Sequence, residues 1–142
     1  LFHRQERHAI AEQRQQLMAL AESVAASAAL WVAARDFAGM QESIGSLSAY
    51  PGLRHAILLD TRGEILAHTD RSRRGLFLPL PPANDTSTVL HAQHLALEVA
   101  APIRLQQAHI GWLRIGINNQ HAHLHHIHSS RCPDLTYCFI WS

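Results

Sequence analysis

Residues 3–38 contain neither proline nor glycine, so nothing in that stretch interrupts a helix. Within it Ile10, Leu17, Val24, Trp31 and Ala38 recur every seven residues, and Leu20, Ala21, Ala28 and Ala34 fill a second line beside them. At 1.5 Å per residue such a helix reaches about 50 Å, more than a compact domain needs. The surplus calls for a partner surface or a continuation of the chain. Asp36 is suited to cap a second helix, with Phe37, Met40, Ile44 and Leu47 on one face. Pro51-Gly52 ends it. Residues 1–50 therefore read as an N-terminal helical segment.

Past that point the hydrophobic period changes to two. Leu53 to Asp60 reads as a strand, Asp60-Thr61-Arg62-Gly63 as a turn, and Glu64 to Thr69 as the return strand. Residues 70–92 read as a long loop, with breakers at Gly75, Pro79, Pro81 and Pro82 and an arginine cluster at Arg71, Arg73 and Arg74. A short helix is expected near Thr88 to His91. His94 to Leu105 is the third strand and Ile110 to Asn118 the fourth, joined near Gln106-Gln107-Ala108. Pro102 implies an edge or an irregularity in the third strand. Helices followed by an antiparallel sheet make an α+β fold: a long N-terminal helix and a second helix packed on the sheet of residues 51–118. Residues 119–142 form a His-rich tail, expected to be a disordered end.

Composition narrows the function. The chain has 142 residues, 47% of them hydrophobic, and a net charge of +1. That is one domain with a real core, too apolar for a disordered chain and too weakly charged to hold nucleic acid. All 12 basic residues are Arg, and His also numbers 12. Mild acid would therefore change the charge strongly. The cysteines, Cys132 and Cys138, both sit in the tail and cannot staple the body of the domain. Leu17 to Ala34 is 18 residues of mostly apolar chain, but Glu22, Ser23, Ser27 and many Ala favour a soluble amphipathic helix over a membrane span. No signal peptide is visible, and the start at Leu1 is that of a piece cut from a longer protein. No phosphate loop, G-x-S-x-G or H-E-x-x-H is present, so no enzyme and no cofactor are expected.

The order of three motifs is more specific than any one of them. AILLDTRGEILAHTD spans Ala56 to Asp70, with Gly75 five residues on; AAPI follows at Ala100 to Ile103, and IGWLRIGINN at Ile110 to Asn119. Over roughly residues 10–118 this resembles the extracytoplasmic PAS-like sensor domains, the PDC or single-CACHE domains, of bacterial transmembrane receptors. These are histidine kinases, diguanylate cyclases and chemoreceptors. The resemblance implies an inner-membrane receptor whose periplasmic domain senses a small molecule, and the seven-residue stripe of the long helix is the expected homodimer contact. Family members that bind citrate or C4-dicarboxylates place an Arg three residues before a His that His68 matches, and another four before the Pro matched by Pro102. Here those positions are Ile65 and Glu98. Arginine is the residue suited to bidentate carboxylate recognition, so an amine, an amino acid or a neutral molecule is the better expectation.

Strand alternation proposes the site. Leu95, Leu97, Val99 and Ala101 should face the helices, leaving His94, Ala96, Glu98 and Ala100 opposite. On the fourth strand Leu113, Ile115 and Ile117 face the core, leaving Trp112 and Arg114. A three-residue connection puts both polar sets on one face, and a two-residue connection does not. His68, His94, Glu98, Trp112 and Arg114 are the candidate ligand-binding residues. The bland alternatives are a cross-strand ion pair between Glu98 and Arg114 and a packing role for Trp112. In the tail, His121, His125 and His128 have the helical spacing of metal ligands. Two other functions stay open: a proton or metal sensor built on the histidines, and a dimerisation module without a ligand.

Overall fold

The computed structural model describes residues 2–81, 86–93 and 96–118, with side-chain surroundings from residue 7 onward. Helix α1 runs Phe2–Ala34 and α2 runs Phe37–Gly45. A 3-10 turn at Ser46–Ala49 leads to β1 (Leu53–Leu59), which β2 (Ile65–His68) follows. Strands β3 (Thr88–Gln93), β4 (Ala96–Leu105) and β5 (Ala108–Asn118) complete one antiparallel sheet in the order β2-β1-β5-β4-β3. This is the α+β arrangement of two helices on a PAS-like sheet.

The joint between the helices follows from local chemistry. Arg35 takes a left-handed conformation (φ 52°), while Asp36 N–H bonds back to Trp31 O and Arg35 N–H to Val32 O, closing the orphan carbonyls of α1. Asp36 then caps α2, its carboxylate accepting from Gly39 N–H at 3.0 Å. Gly39 is required, because a Cβ there would lie 2.4 Å from the Trp31 ring.

Both helices cover one face of the sheet. Leu17, Ala21, Ala25, Ala28 and Val32 of α1 and Met40 and Ile44 of α2 meet Leu58, Leu97, Val99, Leu113 and Ile115 in the main core. The seven-residue stripe is only partly that core. Leu17 is buried, but Trp31 is 41% exposed, and Ala38 falls past the joint, at the surface of α2. A straight helix drifts about 20° per seven residues, so the stripe rotates off the sheet and small Ala residues take over the contact. By length and composition Arg7–Ala34 is apolar enough to cross a membrane. In this fold its inner face lies on β4 and β5.

The β4–β5 connection removes the dichotomy drawn from loop length. Gln106 (φ 50°) and Gln107 (φ 73°) form a two-residue turn between Leu105 and Ala108. One extra residue, Ile110, then slips the register, so Ile103 pairs with Gly111 and Ala100 with Arg114. The bulge restores the parity that a three-residue loop would have given. Thr88–Gln93 is a strand, not a helix: Thr, Val and Leu favour the extended form, and Ala100 to Ala96 offer an open ladder. The loop after β2 is correspondingly shorter. Residues 75–78 run along the β2 edge, where Ile65 N–H donates to Leu76 O at 2.8 Å and Leu78 N–H to Gly63 O at 2.9 Å.

Candidate functional site

The sheet face away from the helices carries a second, smaller core of Ile57, Leu59, Ile65, Ala100 and Trp112, flanked by Leu78 and Leu90. Beside it stands a polar group. Glu98 accepts from Arg114 Nη2 at 2.9 and 3.1 Å on its two oxygens, and from His55 Nε2 at 2.7 Å. The side chains of Glu98 and Arg114 are 15% and 16% exposed, so this pair is far from a solvated surface bridge. Burial alone would push the Glu98 carboxyl up, but the bonds from His55 and Arg114 prevail and bring it down to about 2. Glu98 is an anion whose charge Arg114 balances.

His68 lies on the same face, opposite Ile57, with its ring centroid 6.2 Å from that of His55. Its Nδ1 accepts from Asp70 N–H at 2.8 Å, and its carbonyl accepts from Gln41 Nε2 of α2 at 2.8 Å. Asp70 is itself fixed by capping the 3-10 turn Arg71–Arg73 through Ser72 N–H. Burial lowers the His68 pKa from its usual 6.5, and His55 and Arg73 nearby lower it further. Ring and backbone thus tie the site to a helix and a turn at once.

Of the expected site residues, Glu98, Arg114 and His68 share this face. Trp112 shares it too, but as part of the apolar cluster, edge-on to His109 at 4.9 Å. His94 lies outside the described residues, as do His121, His125 and His128. Among the described residues no group of three His, Cys, Asp or Glu could hold a metal ion. The sequence reading missed His55. Its signal is Gly116 across the ladder, where a Cβ would come within 2.7 Å of the imidazole. Ile65, where dicarboxylate binders carry an Arg, is buried in the apolar cluster.

Residues 4–129 match the family model described as Single cache domain 3. The chain belongs to the single cache family. No curated protein matches it. Among solved structures, the sensor domain of E. coli DcuS is similar, with a TM-score of 0.59, 20% sequence identity, and cover of 78% of this chain and 95% of that one. That likeness bears on the fold alone. The ligand-binding domain of the Pseudomonas aeruginosa PAO1 amino acid chemoreceptor PctB, in complex with L-Arg, gives a TM-score of 0.41 at 14% identity. It covers 73% of this chain and 44% of that one. The cache fold is that of extracytoplasmic sensor domains, sensory rather than catalytic modules.

Proposed function

We propose that this cache domain sits on the periplasmic side of a bacterial inner membrane as the sensor of a signalling receptor. It binds a small molecule on the outer sheet face, against Glu98, Arg114, His68 and Trp112, and passes the change to its terminal helices. The observation that carries this reading is the half-buried Glu98–Arg114–His55 cluster on the face the helices leave uncovered. A core needs no such cluster, since apolar residues there would hold the sheet as well or better. An amine, an amino acid or a neutral molecule fits the site better than a di- or tricarboxylate, because the positions of the two expected arginines are Ile65 and Glu98. The ligand acts by differing in affinity for two arrangements of the helices. The Gln41–His68 bond gives the site a direct handle on α2. A homodimer through the outer side of α1 completes the proposal.

Thermal unfolding of the purified domain against a panel of amines, amino acids, carboxylates and neutral metabolites tests this. A molecule at about 100 times its Kd should add about 2.7 kcal/mol of stability. The reading expects one member of the panel to do so and Arg114→Met to remove the effect. A stabilising molecule whose effect survives Arg114→Met and Glu98→Gln alike would move the site elsewhere.

A further inference from the structure

We infer that the outer-face site, taken as the ligand site on the reading above, receives an uncharged molecule through a hydrogen-bond acceptor such as a carbonyl oxygen, held by His68 Nε2–H and Arg114. The first ground is the fixed tautomer of His68. Its Nδ1 accepts the Asp70 N–H at 2.8 Å, so a neutral ring carries its proton on Nε2. That nitrogen is then a donor, and among the described residues nothing accepts from it. Burial, with His55 and Arg73, holds the ring in its neutral form at neutral pH.

The second ground is that Glu98 is already engaged. Arg114 Nη2 spans both of its oxygens, and His55 donates to Oε1. An amine seeking Glu98 would have to displace one of these donors and set its charge beside a guanidinium. A carboxylate would meet the opposite difficulty, a second anion beside Glu98 in a half-buried place. The pair cancels its own charge, and an uncharged guest meets neither cost.

The third ground is the remaining capacity of Arg114. One of its nitrogens serves Glu98, while Nε is buried without a hydrogen-bond partner. An unmet buried N–H is a standing cost that an acceptor removes. Reaching it requires the guanidinium to turn about its Glu98 contact. Arg114 faces Ala100 on β4 and Ile57 on β1, and Ile57 in turn faces His68, so the two donors stand in one row across the outer face with Ile57 between them.

Acetamide, acetate and acetamidinium test this directly, because they share a shape and differ in charge. Each is titrated into the isotopically labelled domain while the side-chain N–H signals of His68 and Arg114 are followed by NMR. Acetamide should shift both signals saturably, with the two ions binding about tenfold more weakly or worse. In Glu98→Gln the freed arginine should reverse the preference toward acetate. The wild-type comparison stands even if that variant does not fold. Should acetate or acetamidinium bind best to the wild type, the outer-face site survives and the inferred ligand class is wrong. If all three leave the outer-face signals unmoved, the inference and the site reading fall together.

Discussion

Removing Glu98 would leave the Arg114 charge half-buried with nothing to balance it. Glu98→Ala is expected to cost about 2–4 kcal/mol in urea unfolding, below or near the range for breaking fully buried pairs because the site is still wetted. The Glu98 contribution is fully present above pH 4.5, its ordinary value, and is lost as the pH falls toward about 2. His68 loses its contribution in the same direction, although there it is the neutral form that the fold favours. Its pKa is lower in the fold than the ordinary 6.5, so the unfolded chain takes the proton more readily. Its contribution is complete above pH 6.5 and shrinks as the pH drops below that value. The stability difference between wild type and His68→Gln should therefore shift against the wild type as the pH is lowered from 7.5 to 5. A difference flat with pH would mean that His68 is not held neutral. Strand alternation made the outward direction of Glu98 and of Arg114 legible, because alternation is a local property, but that they share a face was left open by the loop length and is decided by the Ile110 bulge. His55 was not legible, since its place depends on Gly116 in a strand more than fifty residues away.

At the level of elements, the first hairpin depends on one glycine. Gly63 has φ 95°, and a Cβ there would meet Leu78 O at 2.4 Å. Gly63→Ala should therefore cost about 1–3 kcal/mol and loosen the 75–78 segment from β2, read as faster amide exchange at Ile65 and Leu78. An alanine variant as stable as wild type would contradict the tight approach of that segment. The helices, their joint at Asp36 and the first hairpin were legible because caps, breakers and turns act within a few residues. β3 was not. Its extended form comes from pairing with β4, and the nearby prolines read as loop. The bulge at Ile110 was equally hidden, because nothing in Ala108 to Gly111 marks an extra residue until the partner strand is in place.

For the whole molecule, the question is what the outer side of α1 meets. Leu30 is 68% exposed and Trp31 41% exposed, side by side near the end of the helix. The proposed dimer would cover them, and sedimentation should show a dimer that Leu30→Glu converts to monomer without unfolding it. A monomer at every concentration would remove α1 as the dimer contact. The overall architecture was legible from the change of period at Pro51-Gly52 and from motif order. The choice between sensing surfaces was not, because it rests on which residues face one another across the sheet. A rival place exists, a groove of about 430 Å³ between α1 and β3 lined by Arg7, Ile10, Arg14, Met18 and Val89. A crystal structure of the domain with the first molecule that raises its Tm decides between the two. That molecule should lie on the outer sheet face, in contact with His68 and Arg114. The same molecule seated in the α1–β3 groove, with Glu98 and Arg114 unchanged, would contradict the proposed site.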